Sequence, residues 1–376
     1  MPRILIITGE ASGDLHGANL ARALKALDPQ VSLAGIGGAA MQAAGVHMLR
    51  DIGPFDIMGM IGPMALWAVF RRLLAMRRLF RSESWDAVVF IDHPGLNLRY
   101  AYFAKAAGLR VVYYIAPQVW AWRPGRMHWI KRRVDHVIVI LPFEKALYDR
   151  AGIRCTFVGH PLLDVVSPQY DRRALRIRFG LRPEGRVIGL LPGSRSGEVR
   201  SLLPVILETA GQLSRRDPQT QFLLAQASTI QDNLVHSLVR ASPVAVAVVK
   251  EQASEVMAVS DFVLVASGTA TLQAAVVGTP MVLLYRTSRF TYWLARLLIR
   301  VKWIGLVNLV AGRSVVPELI QSEATAQRLY DEAVRILDNQ PAYDDMSQSL
   351  RHVRAALGEP GASIRAAEVV LATCRT

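Results

Sequence analysis

Val187-Ile188-Gly189-Leu190-Leu191-Pro192-Gly193-Ser194-Arg195-Ser196-Gly197-Glu198 is an apolar run, a small-residue turn and the start of a helical pattern. The run reads as a buried strand. A strand passing through such a turn into a helix gathers free backbone N–H groups and a positive helix end at one spot, a ready anion site. The arrangement recurs where Ile4 to Ile7 leads into Gly9-Glu10-Ala11-Ser12-Gly13-Asp14, and where Phe262 to Val265 leads into Ser267-Gly268-Thr269-Ala270-Thr271. Its presence in both halves predicts an α/β chain of two Rossmann-like, nucleotide-binding-type domains facing one cleft.

Working outward, strand-like and helix-like segments alternate along the whole chain. The first half offers strands near Ile4–Ile7, Ser32–Ile36, Ala87–Ile91, Val111–Ile115, His136–Ile140 and Thr156–Val158. The second restarts at Val187–Leu191 and continues through Phe222–Ala225, Val244–Val248, Phe262–Val265 and Met281–Leu284. A polar, arginine-rich stretch from Ser167 to Arg186 separates them, so the domains are expected at 1–170 and 171–349. The C-terminal helical stretch, about 350–376, is expected to fold back on the first domain.

The 376 residues carry a net charge of +14, almost all of it from arginine, which suits an anionic lipid surface or phosphorylated substrates. Nucleic acid is disfavoured, because no recognised nucleic-acid module appears. Cys155 and Cys374 lie far apart in sequence, which gives neither a metal-ligand spacing nor a disulfide framework. The start of the chain is a strand entering a turn, not a signal-peptide core, so a cytoplasmic protein is expected.

Ile57 to Phe70 is an apolar run of 14 residues, shorter than the roughly 20 needed to span a bilayer. It continues into Arg71-Arg72-Leu73-Leu74-Ala75-Met76-Arg77-Arg78-Leu79-Phe80-Arg81. On a helical wheel Leu66, Val69, Leu73, Met76 and Phe80 form one stripe that can face a core. Trp67, Phe70 and Leu74 fall on another side beside Arg71, Arg78 and Arg81, as in a helix lying among headgroups. Burial in the core, or under a partner in a homodimer, is the alternative. Arg286 to Lys302 repeats the chemistry with Phe290, Tyr292, Trp293, Leu297 and Leu298 among Arg289, Arg296 and Arg300.

In the second half, Gly193 allows close backbone approach, Ser194 can donate to a phosphate oxygen, and Arg195 can grip a diphosphate with two prongs. Ser267, Gly268, Thr269 and Thr271 can face the same phosphates or simply cap their helix, and Gln273 can reach a ribose hydroxyl. In the first half, Glu10, Ser12, Gly13, Asp14 and His16 make an acidic turn better suited to sugar hydroxyls or general-base work than to phosphate. Asp92 ends the strand Ala87–Ile91, where a partly desolvated carboxylate can accept a proton from an attacking hydroxyl. Trp120 and Trp122 can stack on a sugar or acyl chain, or pack in a core. Asn308 and Glu318 add a carboxamide and an acid late in the chain. No P-loop lysine, dinucleotide G-x-G-x-x-G after the first strand or HExxH occurs, so hydride transfer, Walker-type hydrolysis and zinc hydrolysis lose support. A nucleotide diphosphate facing an acid suits glycosyl transfer from a nucleotide sugar.

These segments resemble the lipid-A-disaccharide synthase family, bacterial glycosyltransferases of GT-B architecture. The resemblance rests on GEASGDLHGANL (9–20), IDHPGLNLR (91–99), YYIAPQVWAWR (113–123), FVGHPLLD (157–164), LLPGSRSGEV (190–199), SGTATLQAA (267–275) and NLVAG (308–312), among others. It implies that UDP-diacylglucosamine and diacylglucosamine 1-phosphate (lipid X) give a β-1,6-linked disaccharide phosphate and UDP, with inversion and with no required metal or cofactor. By the same resemblance Asp92 is the general base. Arg195 with Gly193 and Ser194 holds the leaving diphosphate, and Ser267, Gly268, Thr269 and Thr271 complete the cradle. Asn308 lies near the donor, and Glu10, Ser12 and Asp14 lie on the acceptor side. Peripheral attachment to the cytosolic face of the inner membrane follows from the acylated substrates. Two departures stand out: Gln273 replaces the usual glutamate of SGTATLE, and Leu96 replaces the usual phenylalanine. The residues alone leave Glu10, Asp14 and His16 open beside Asp92 as the base. They also leave open another UDP-sugar GT-B enzyme, such as a peptidoglycan-type transferase or an epimerase, and a scaffold that binds UDP-sugar without turnover.

Overall fold

Wholly apolar strands such as Ile4-Leu5-Ile6-Ile7 and Ala87-Val88-Val89-Phe90-Ile91 need cover on both faces, as in a parallel sheet between helix layers. A computed structural model of the chain describes residues 1–9, 11–49, 63–116, 119, 125–288, 292–293 and 301–375. Two all-parallel sheets emerge. The first holds β1 (Arg3–Thr8), β2 (Ser32–Ile36), β3 (His47–Met48), β4 (Ala87–Ile91), β5 (Arg110–Tyr114), β6 (His136–Val139) and β7 (Cys155–Phe157) in the order β3-β2-β1-β4-β5-β6-β7. The second holds β8 (Val187–Leu191), β9 (Gln221–Gln226), β10 (Val246–Lys250), β11 (Phe262–Ala266), β12 (Met281–Tyr285) and β13 (Glu318–Ile320) in the order β10-β9-β8-β11-β12-β13. Each order reverses direction once, beside β1 in the first sheet and beside β8 in the second. In such sheets ligands bind outside the strand C-termini at that switch point.

Alternation along the strands builds the two faces of the first sheet. Val88, Phe90, Val111 and Tyr113 enter one apolar cluster, with Met76 and Phe80 of the helix Pro63–Ser82. Val89, Ile91, Val112 and Tyr114 enter the other, with Ala18 and Ala21 of the helix Ala11–Leu27 and Ala366, Ala367 and Val370 of the helix Ala362–Arg375. Alanines on both facing helices let the terminal helix pack closely, and Arg365 Nε donates to the Val158 carbonyl at 2.8 Å. The first compact unit is therefore Met1–Pro161 plus Gly358–Thr376, and the second is Leu162–Leu357.

The crossover falls nine residues before the expected 170/171 boundary. The short helix Leu162–Val165 already packs on the helix Thr269–Val277 of the second unit, and Leu163 and Val166 are buried. At the other end, the helix Gln340–Ala356 belongs to the second unit, so only the final helix returns. Two short strands have no apolar run to announce them: β3, and β13, which begins at Glu318. β10 also lies two residues later than expected, at Val246–Lys250.

Candidate active site

The turns after β8 and β11 flank the switch point of the second sheet and line one cavity of about 720 Å³. Gly193, Ser194, Arg195, Ser267, Gly268, Thr269 and Gln273 all contribute to its wall. Gly193 has φ +112° and Gly268 φ +149°, backbone that a side chain would strain. Arg195 extends with its side chain 83% exposed, and its Nη1 donates to Glu198 Oε1 at 3.0 Å. Gln273 Nε2 donates to Ser254 Oγ at 2.6 Å, which fixes its amide so that Oε1 is the end left to accept from a ligand hydroxyl.

Two expected donor-site residues do not reach this cavity. Thr271 is fully buried, and its hydroxyl donates to the Gly268 carbonyl at 2.9 Å, so it braces the turn from behind. Asn308 is also fully buried, with all its hydrogen-bonding groups engaged inside the protein. Its Nδ2 donates to the Val316 carbonyl and Glu318 Oε1, while its Oδ1 accepts from the Val315 and Val316 N–H groups, all within 2.8–3.0 Å. Glu318 completes that lock by accepting from the Ile304 and Gly305 N–H groups. Asn308 therefore pins the segments around it.

In the first unit, Asp92 stands at the C-terminal end of β4, partly buried, with φ +48°, and His93 follows at φ +47°. Two consecutive non-glycine residues in the left-handed region are held there by their surroundings. Buried Asn97 donates through Nδ2 to the Ile91 and Asp92 carbonyls (3.2 and 2.8 Å), and the Tyr113 hydroxyl donates to the Asp92 carbonyl at 2.7 Å. Asn97 and Tyr113 thus fix the Asp92 backbone. Neither carried a sequence signal beyond its place in the motif and in an apolar strand.

The acidic turn resolves differently. Asp14 accepts from the Gly38, Ala40 and Met41 N–H groups at 2.8–3.1 Å, spending its carboxylate on the start of the neighbouring helix Ala39–Ala43. That carboxylate is thus engaged by three backbone N–H groups. Gly13 is buried against Thr8, where any Cβ would collide, and Ser12 is exposed. His16 is pushed below its ordinary pKa by burial, and its Nδ1 is buried without a partner. His160, which sequence reasoning passed over, is buried and lowered to about 4 by desolvation and then by His16. Glu10, Trp120 and Trp122 lie outside the described residues, as do most of Arg286–Lys302; Trp293 of that segment is 61% exposed.

On the helix Pro63–Ser82, Trp67, Phe70 and Leu74 are exposed, while Met76 and Phe80 are buried. Arg71 stacks on the Trp67 ring at 4.8 Å, and Arg78 is exposed. The side chains of Leu66 and Val69 lie outside the described ones. This helix packs on Pro94–Ala106, which packs in turn on Arg126–Arg133. None of the three contains an acidic residue. Arg133 lies over both the Trp129 ring (4.7 Å) and the Tyr102 ring (5.3 Å), and both aromatics are exposed. Among the described residues, no helix is long and apolar enough to cross a membrane.

Comparison with known proteins bears on this arrangement. A family model described as Lipid-A-disaccharide synthetase matches residues 4–371. The chain is 45% identical over 370 residues to the lipid-A-disaccharide synthase of Geobacter metallireducens, covering 98% of this chain and 96% of that one. It is 37% identical over 368 residues to the enzyme of that name from Coxiella burnetii, covering 98% and 97%. Among solved structures, UDP-GlcNAc 2-epimerase from Neisseria meningitidis bound to UDP-GlcNAc aligns with TM-score 0.66 at 12% identity, covering 98% of this chain and all of that one. MurG of Acinetobacter baumannii aligns with TM-score 0.61 at 13% identity, covering 99% of this chain and 100% of that one. Those two likenesses establish the fold, the two-unit α/β architecture of GT-B proteins.

Proposed function

Because this chain belongs to the lipid-A-disaccharide synthase family, and so is a glycosyltransferase of lipid A biosynthesis, we propose the following division of labour among its residues. The donor is UDP-2,3-diacylglucosamine and the acceptor is lipid X. Asp92 takes the proton of the acceptor's primary hydroxyl, and that oxygen forms a bond to the donor's anomeric carbon from the face opposite the diphosphate. The bond from that carbon to the diphosphate oxygen breaks, its electron pair leaves with UDP, and the new linkage is β-1,6 with inversion.

Charge building on the leaving diphosphate is met by the Arg195 guanidinium and by the Ser194, Ser267 and Thr269 hydroxyls, donors gathered along one cavity wall. The observation that carries this reading is the single cavity into which the turns after β8 and β11 converge, Arg195 and Thr269 included. Gln273 accepts a ribose hydroxyl through Oε1. In the first unit Asp92 is the base favoured by its setting, since Asp14 is occupied by three N–H groups.

The first unit attaches to the cytosolic surface of the inner membrane through its acid-free helices. Trp67, Phe70 and Leu74 insert among the headgroups, with Arg71 and Arg78 beside them on anionic phosphates. Tyr102, Trp129 and Arg133 extend that surface.

The test is UDP release by the purified protein in detergent with UDP-2,3-diacylglucosamine, with and without lipid X, for wild type and Asp92→Asn. Release that needs lipid X and falls by at least about 100-fold in Asp92→Asn is expected for loss of a general base. Release that survives the substitution moves the base to the Glu10–His16 turn.

A further inference from the structure

The glycine turn after β8 already contains an anion. Glu198, in the first turn of the helix Ser196–Arg216, directs its carboxylate back into the turn. Oε2 accepts from the Ser194 N–H at 3.2 Å and the Arg195 N–H at 3.3 Å, and Oε1 accepts from Arg195 Nη1 at 3.0 Å. A Cβ on Gly193 would lie 2.5 Å from Glu198 Oε2, so glycine at this position also makes room for the carboxylate. Two backbone N–H groups and one guanidinium converging on a single anion are the donors that a diphosphate in this cavity would seek.

A helix-capping role accounts for the two backbone contacts. It does not account for the guanidinium contact, made by the one cation among the described residues that line the cavity. Both backbone bonds are at the long end of the N–H···O range, and the Arg195–Glu198 pair is an exposed i,i+3 contact of small net worth. The carboxylate therefore gives up these donors at little cost.

We propose that Glu198 is a resident anion of the diphosphate loop, competing with the nucleotide's diphosphate for Arg195 and the Ser194 and Arg195 N–H groups. It acts as a positioning residue in two senses. It holds Arg195 at the cavity wall before the donor arrives, and it reclaims Arg195 as UDP departs, which weakens product binding and speeds release. The proposal rests on the nucleotide-diphosphate reading of this cavity.

The experiment is titration calorimetry of the full-length protein with UDP and with uridine, for wild type, Glu198→Gln and Glu198→Ala, beside thermal melts. Uridine lacks the diphosphate and controls for a general disturbance of the cavity. Removing the competing charge is expected to tighten UDP binding by about threefold or more and to leave uridine binding unchanged. The gain shrinks in high salt, where screening weakens the competition. In turnover, the inhibition constant for product UDP falls by the same factor. Glu198→Gln keeps an amide oxygen for the helix cap and Glu198→Ala removes it, so a gain shared by both variants belongs to the lost charge. UDP affinity that is unchanged or weaker in the folded variants overturns the proposal. A wild type that binds UDP no better than uridine overturns the diphosphate reading, and this proposal with it.

Discussion

Asp92 and Asn308 show how much a residue's neighbours decide. Asp92 sits in a conformation that costs of order 1–3 kcal/mol for a non-glycine residue, and Asn97 and Tyr113 hold it there by its own carbonyl. Strain maintained by two buried donors at a strand's C-terminal end is the kind found at reacting groups. Asn308, equally prominent in its motif, is consumed by four hydrogen bonds within the fold. Asn308→Ala leaves the N–H groups of Val315 and Val316 unsatisfied, and is expected to destabilise the second unit by about 2–3 kcal/mol. UDP affinity of the folded fraction is expected to stay unchanged. Denaturant unfolding and UDP titration of the variant check this, and a weaker UDP affinity at unchanged stability would return Asn308 to the donor site. Asp14 and Thr271 teach the same lesson, because a carboxylate or hydroxyl in a motif serves whichever partner the fold brings nearest.

At the scale of elements, helical periodicity in Pro63–Ser82 separates the buried Met76 and Phe80 from the exposed Trp67, Phe70 and Leu74. Periodicity works here because one face of a helix on a sheet must be apolar and the other is free to be anything. The neighbours of that helix were not legible. Tyr102, Trp129 and Arg133 belong to segments distant in sequence and became one basic, aromatic surface only through packing. Replacing Trp67, Phe70 and Leu74 together with serine is expected to weaken binding to anionic liposomes by at least about tenfold while UDP binding stays intact. Liposome co-sedimentation reads the outcome, and undiminished affinity in the triple variant would sink membrane docking through this helix.

For the whole molecule, acid stability follows from histidines that folding keeps neutral. Burial lowers His136 and His160 from 6.5 to about 4, with Arg154 adding to the effect at His136 and His16 at His160. The unfolded chain therefore binds more protons than the folded one between those values. The contribution of these two groups is level above about pH 6.5, and is lost progressively as pH falls toward 4. Thermal unfolding of the first unit is expected to drop across that window, and to drop less in a His136→Asn, His160→Asn double variant. Identical pH profiles for the variant and wild type would remove these histidines as the cause.

By itself the sequence determined the two α/β sheets, the glycine turns at their strand ends and the family. It could do so because these depend on local patterns: apolar runs of strand length, small residues where backbone must approach a ligand, and motifs contiguous in the chain. Only the tertiary structure decided that the chain crosses to its second unit at Leu162 and returns at Gly358. Tertiary packing also gave Asp14 and Asn308 partners from other segments and brought Tyr113 onto the Asp92 carbonyl, whereas the contacts of Thr271 and Glu198 are made within three or four residues along the chain. Whether a polar group faces a substrate or a neighbouring N–H depends on which donors and acceptors folding delivers within about 3 Å of it, and spacing along a chain does not encode that distance.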